Sequence, residues 1–335
     1  MDHAFLAHLW AALLGLMLML YVVLDGFDLG IGILSLFTRE PRHRAVMMAS
    51  IGAVWDANET WLVLAGGTLF GAFPVVYALA LNALYIPLTV MLVGLVLRAS
   101  SFEFRQHARR KRPWEIAFGA GSLLAVLGQG FALGGWLGGI THTDGRFAGG
   151  PWDWFTGVSV MVTVAVGFGI VMLGASYLLA KVDPSMRRQV HTWVLVFSIL
   201  MAAAVLAISL SMPLLSKAVS NRWLHDKDRY FIWAMALGAA FAFAMLLLST
   251  IWRRYRRLPF AASLLFFATT FIGGISVVYP HLVPPTITVT AGASDRPTLI
   301  FMLYGIGPLI PVMLTYNLYL YRVFRGPVAM HEGYG

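Results

Sequence analysis

Long apolar runs separated by short polar stretches set the pattern of this chain. Nine runs come near or above the roughly 20 residues that a membrane-crossing helix needs. They fall at about 6–36, 46–72, 75–98, 115–139, 155–180, 192–214, 229–251, 259–280 and 299–322. The pattern predicts an all-α integral membrane protein with nine transmembrane helices. The first run stays apolar well past a signal-peptide core, and no small-residue cleavage site follows a short core, so it reads as a retained helix. Every polar stretch is short, so successive helices should be antiparallel neighbours. Several small-xxx-small pairs suit close helix packing: Gly26/Gly30, Gly67/Gly71, Gly134/Gly138 and Gly135/Gly139. No internal repeat, low-complexity segment or soluble domain is read.

Composition agrees. Of 335 residues, 59% are hydrophobic and 12% charged, and the mean hydropathy is +0.77. A soluble domain carries about 25% charged residues. The net charge of +9 invites a nucleic-acid reading, but the distribution argues against it. Eighteen of the 24 Lys and Arg residues fall in alternate loops: Arg39, Arg42 and Arg44; Arg98, Arg105, Arg109, Arg110, Lys111 and Arg112; Lys181, Arg187 and Arg188; Arg253, Arg254, Arg256 and Arg257; Arg322 and Arg325. The intervening loops hold Arg146, Lys217, Arg222, Lys227, Arg229 and Arg296. The positive-inside rule then puts the N-terminus outside and the C-terminus in the cytoplasm. The run Arg105–Arg112 reads as a topogenic loop beside anionic lipid, not as a nucleic-acid patch.

Four carboxylates interrupt the apolar runs: Asp25 and Asp28 in the first, Asp56 and Glu59 in the second. Charge at membrane depth is expensive unless paired, hydrated or neutralised, and is read as functional by default. Each pair is spaced i,i+3, so both acids of a pair share a helix face. An antiparallel hairpin about Pro41–Arg42 sets Asp28 level with Asp56 and Asp25 level with Glu59. With a rise of 1.5 Å per residue, Asp28 lies roughly 16 Å from Arg39, in the half nearer the basic loop. Four carboxylates in one dry layer cannot all carry charge. Groups that exchange protons at such spacing form a relay, and the competing reading is a protonated network that only fixes packing or holds a partner. Asn58, Trp55 and Trp61 supply polar company. Asn82 either joins the layer or packs elsewhere.

Other chemistry is excluded or unsupported. The chain has no cysteine, which removes disulfides, thiolate metal sites, iron–sulfur clusters and covalent haem attachment through Cys. All nine histidines lie in loops, tails or within a turn or two of a helix end, so no pair is placed to sandwich a haem at depth. The expectation is a chain that binds no haem and no metal by itself. The 16 methionines read as packing. Pro74, Pro213, Pro280, Pro284 and Pro285 mark outer helix ends, and Trp136, Trp152, Trp154 and Trp223 fit an outer interfacial belt.

The motifs also carry a resemblance. Asp25-Gly-Phe-Asp-Leu-Gly30, Trp55-Asp-Ala-Asn-Glu-Thr-Trp61, Gly66-Gly-Thr-Leu-Phe70, Phe73-Pro-Val-Val-Tyr77 and the loop Arg98-Ala-Ser-Ser-Phe-Glu-Phe-Arg105 resemble subunit II of cytochrome bd-type quinol oxidases. They cover roughly the first 105 residues, and the modest length resembles the cyanide-insensitive branch. The resemblance implies two four-helix bundles, about 1–140 and 150–282, plus a peripheral helix at about 298–325. It implies a heterodimer with a subunit I that holds two haems b, a haem d and the quinol site, with quinol and oxygen as substrates in a bacterial inner membrane. It leaves open a bound structural quinone or lipid and a small single-helix accessory subunit. In that family the aspartate matching Asp56 lies on a proton path from the cytoplasm, and the tryptophan matching Trp61 lies near an oxygen route in some members. Glu59 stands where other members can have an amide. A proton-coupled transporter would instead favour broken helices and matching halves, and neither is read here. A purely structural membrane scaffold is the third class.

Overall fold

The structure is a computed structural model that describes residues 1–215, 217–253 and 255–326. Arg254 and His331, both counted above, fall outside the described residues. The fold is helical almost throughout. In chain order the helices are α1 (His3–Leu36), α2 (Pro41–Ile51), α3 (Trp55–Ala72), α4 (Pro74–Ala83), α5 (Tyr85–His107), α6 (Arg112–Leu137), α7 (Gly157–Lys181), α8 (Pro184–Leu215), α9 (Lys217–Leu224), α10 (Arg229–Trp252), α11 (Leu258–Val278), α12 (Val289–Gly292), α13 (Arg296–Gly305) and α14 (Leu309–Val323). Two small hairpins, His142–Thr143 with Arg146–Phe147 and His281–Val283 with Ile287–Thr288, lie between α6 and α7 and between α11 and α12. Among the described residues eight helical stretches are long and apolar enough to cross a membrane. A ninth arises only if α3 and α4, bent by 119°, count as one.

Three expected continuities and one presumed boundary are corrected. The run 46–72 breaks at Gly52–Val54, so Trp55 and Asp56 open a new helix instead of sitting inside one. The run 75–98 breaks at Leu84, and its second part continues as helix to His107, so the presumed loop 98–105 is the last two turns of α5. Phe73 leaves helical geometry (φ −137°, ψ 61°) ahead of Pro74. A residue before proline is pushed out of the α region and proline lacks an N–H, so the bend follows from the dipeptide. Finally, 299–322 divides at Ile306–Pro308 into α13 and α14. Hydropathy cannot register such breaks, because apolar residues flank every one of them.

α1 is the central strut. It packs against α3, α6 and α7; α5 pairs with α6, α7 with α8, and α10 with α11. Its crossing with α7 is close enough to require glycine. A Cβ at Gly30 would stand 2.1 Å from the Ile170 carbonyl oxygen, and one at Gly174 would stand 2.7 Å from the Gly30 carbonyl carbon. Gly26/Gly30 is therefore a contact pair, whereas Gly67 faces open space.

Contacts at the helix ends gather the basic stretches. Arg44 and Arg105 both bind the buried Glu115, at 2.6 and 3.1 Å. Arg44 also caps the C-terminal end of α1 through the carbonyls of Thr38 and Arg39. His43 meets Ser185, Lys181 Nζ donates to the Phe324 carbonyl at 2.5 Å, and Arg257 reaches the Arg325 carbonyl. All these contacts lie at one end of the molecule, called the basic end below. At the other end Ser294 bonds the Gly71 and Ala72 carbonyls, His142 meets Thr286, and Arg222 bonds the Tyr279 carbonyl.

Candidate functional site: carboxylates around a buried arginine

Two apolar cores share the edge residues Leu24, Leu62 and Leu88. Asp25 follows Leu24 directly and Asp28 lies one turn further, and both are fully buried. Facing them on α3 is a stripe at helical spacing: Asn58, Trp61, Ala65, Thr68 and Ala72. α5 presents a second stripe, Met91, Gly94, Leu95, Arg98, Ser101 and Arg105. The cluster forms where these faces meet.

Arg98 is its centre, wholly buried. One terminal nitrogen lies 2.7 Å from Asp25 Oδ1 and the other 2.8 Å from Glu59 Oε2. The fork of a guanidinium lets one side chain bridge acids from two helices. Asp28 is held differently. Its Oδ2 accepts from Asn58 Nδ2 at 2.8 Å, and the same nitrogen donates to the Leu24 carbonyl at 3.2 Å. Asn58 Oδ1 accepts from the Tyr321 hydroxyl of α14 at 2.7 Å. Asp28 Oδ1 and Asp25 Oδ2 are buried without a hydrogen-bond partner. Glu59 keeps about a quarter of its side chain exposed, so the cluster opens to one side of α3.

The structure gathers Asp25, Asp28 and Glu59 but not Asp56. Asp25 and Glu59 are level, as the hairpin argument required, since one guanidinium touches both. Asp28, expected level with Asp56, is met instead by Asn58, two residues along α3. Successive helix residues advance about 100°. Turning Asn58 toward α1 therefore turns Asp56 nearly to the far side, where it is exposed along with Val63, Gly67 and Phe70. The single dry layer of four acids thus divides into two buried aspartates, a part-exposed Glu59 and an outward-facing Asp56. Asp56 lies in the first turn of α3, where helices favour carboxylates. Trp55 stacks on Phe102 at 5.3 Å, and Trp61 is buried with its indole N–H unpartnered, so among the described residues neither indole holds an acid. Asn82 bonds the Ala78 carbonyl of its own helix and does not join the cluster.

Reasoning from the sequence missed Arg98, Tyr321 and the Arg44–Glu115–Arg105 triad. Arg98 was tallied with the basic loop. The signal that could have found it is the spacing Gly94, Arg98, Ser101 and Arg105, which continues the apolar stripe past the presumed helix end. No group of three or more His, Asp or Glu among the described residues could hold a metal ion. Their histidines lie within about two turns of a helix end, just after α9, or in the two hairpins.

Comparisons with known proteins point to one family. The chain is 28% identical over 240 residues, 69% of its length, to the "Probable cytochrome oxidase subunit 2" of Haemophilus influenzae. It is 36% identical over 143 residues, 42% of its length, to the cytochrome bd-I ubiquinol oxidase subunit 2 of Escherichia coli K12. These matches span 60% and 38% of the two relatives' own lengths. Among solved structures it superposes on a chain of the bd oxidase from Geobacillus thermodenitrificans with a TM-score of 0.78, at 19% identity, covering 95% of this chain and 98% of that one. The family model for cytochrome bd terminal oxidase subunit II matches residues 6–324. A match over nearly the whole length, with the buried acids and their helices falling inside it, shows that this chain belongs to the cytochrome bd terminal oxidase subunit II family.

Proposed function

We propose that the chain is the second subunit of a quinol-oxidising, oxygen-reducing membrane complex and supplies part of its proton-uptake path. The observation that carries this is the charge balance of the cluster. Two carboxylates share one guanidinium, a third beside them is held only by an amide, and Asp25 Oδ2 and Asp28 Oδ1 are buried without partners. Fully ionised, the set would bury surplus negative charge that such surroundings do not stabilise. It is balanced by taking up protons, which is the property a relay needs. Asp56 and the open side of Glu59 give the proton a way in, and Arg98 holds Asp25 and Glu59 at a fixed separation.

In this reading the haems, two b and one d, and the quinol site belong to a partner subunit I, which packs on the exposed face of α3 around Asp56. A carboxylate left toward lipid there would be costly. The bundles about 1–140 and 150–282 and the peripheral helix about 298–325 are the proposed units, with room for a small accessory subunit and a structural quinone or lipid. Four protons are consumed for each oxygen reduced to two waters. Drawing them from the cytoplasm while quinol releases its own outside separates charge without a pump. The breaks in α3/α4 and α13/α14 are features a transporter also uses, but the family match favours the oxidase. A complex captured through a tag on this chain should show haem absorbance and quinol-driven oxygen uptake. A captured chain with no haem-bearing partner would count against the assignment.

Orientation in a bacterial inner membrane is part of the proposal, with the N-terminus outside and the basic end in the cytoplasm. A chain without native cysteine suits labelling. A cysteine at Arg109 should react with an impermeant reagent only once the cytoplasmic face is opened, and one at Thr143 should react from outside. The reverse pattern would overturn the uptake direction.

A further inference from the structure

The last helix reaches the acid cluster through one hydroxyl. Tyr321 lies near the basic end of α14, packs edgewise on Phe27 with ring centres 6.3 Å apart, and donates to Asn58 Oδ1 at 2.7 Å. The direction of that bond follows from the other end of the amide. The Leu24 carbonyl can only accept, so the atom beside it must be the amide nitrogen. Asn58 Oδ1 then faces Tyr321, and the phenol must be the donor. The same nitrogen donates to Asp28 Oδ2, which is thereby fixed as an acceptor. A carboxylate oxygen that already accepts is the poorer site for a proton, so uptake by Asp28 is favoured at Oδ1, the buried oxygen with no partner. Tyr321 therefore anchors, through Asn58, the amide that makes Oδ2 the accepting oxygen of Asp28.

We propose that Tyr321 is a positioning residue for proton transfer at Asp28, acting through the Asn58 amide. Without the hydroxyl, Asn58 Oδ1 becomes a buried acceptor lacking its donor. A flipped amide would set oxygen against both the Leu24 carbonyl and the Asp28 carboxylate. Unflipped, the amide keeps its two bonds but loses the anchor on its oxygen; flipped, it also loses the bond to Asp28. In both cases Asp28 Oδ2 is held less firmly, while the ring of a phenylalanine still fills the space beside Phe27. The last helix is then part of the site and not only a peripheral support.

This inference rests on the proton-uptake reading, and a mutant cycle separates the two. Quinol-driven oxygen uptake is measured per haem-loaded complex for Tyr321→Phe, Asp28→Asn and the double variant, with Asn58→Ser as a second route to the same lesion. Tyr321→Phe should lower kcat about fivefold, the factor expected for one buried neutral hydrogen bond, and leave KM for quinol unchanged. Asp28→Asn should lower kcat by more, and the double variant should match Asp28→Asn alone. A tyrosine that only supports the fold would weaken both backgrounds equally. Multiplying losses, or an inert Tyr321→Phe beside an impaired Asp28→Asn, overturns the role of Tyr321. An inert Asp28→Asn overturns the proton-uptake reading at this acid, and the inference with it.

Discussion

Arg98→Gln is expected to prevent the complex from accumulating. Arg98 is wholly buried and touches Asp25 and Glu59 at 2.7 and 2.8 Å. Removing one partner of a buried ion pair costs about 3–5 kcal/mol, because the remaining charge is left uncompensated. Here two carboxylates lose the same partner. The loss is a large fraction of the roughly 5–15 kcal/mol by which a domain is stable. Arg98→Lys keeps the charge but has no fork and can serve only one acid at a time, so it should assemble in reduced amount. Asp25→Asn added to Arg98→Gln should restore part of the yield by removing a charge the cluster can no longer balance. The measurement is haem-loaded complex recovered per cell mass, with apparent melting temperature for whatever assembles. Wild-type recovery of Arg98→Gln would mean that the cluster is hydrated from the open side of Glu59 and does not depend on the guanidinium.

The outcome at Arg98 also shows where the sequence stopped being readable. Helix-forming runs could be read because a membrane span has to be apolar over its whole length. The pairs Asp25/Asp28 and Asp56/Glu59 stood out for the same reason. What could not be read was rotation. Hydropathy gives the depth of a residue but not the direction it faces, and a break of three residues at Gly52–Val54 resets the face of all that follows. That break makes Asn58 the neighbour of Asp28 and turns Asp56 outward. An arginine at the end of an apolar run reads as a loop charge because most such residues mark the cytoplasmic flank. Only the continuation of α5 to His107 puts Arg98 two turns inside the helix. Tyr321 was hidden more thoroughly: aromatic residues at helix ends are ordinary in membrane proteins, and its role depends on a contact across 263 positions of sequence. The order of the basic stretches was legible, and contacts between their helix ends bring them together at one end of the fold.

Asp56→Asn should assemble normally and reduce oxygen slowly. The structure strengthens the first half of that expectation. Asp56 is exposed, among the described residues no side chain bonds its carboxylate, and the buried stripe of α3 lies on the opposite face. Replacing it disturbs no packing within this chain, so a loss of activity cannot be assigned to misfolding. Asparagine keeps the shape and a hydrogen-bonding group but cannot take up and release a proton near neutral pH. Glutamate keeps the proton chemistry with one more methylene. If Asp56 carries protons toward the cluster, Asp56→Asn should lose tenfold or more in turnover, about 1.4 kcal/mol on the limiting barrier, and Asp56→Glu should keep more activity than Asp56→Asn. If Asp56 only contacts the partner, the order should reverse, because the longer side chain would disturb a packed face that asparagine preserves. Water and Glu59, one turn along α3, can carry part of the flow, so some activity should survive in Asp56→Asn. The comparison is quinol-driven oxygen uptake per haem for the two variants, with assembly checked by the absorbance spectrum. Near wild-type turnover in a fully assembled Asp56→Asn complex would show that protons reach the reaction without passing this face of α3, and the buried cluster would then be a packing device of the subunit.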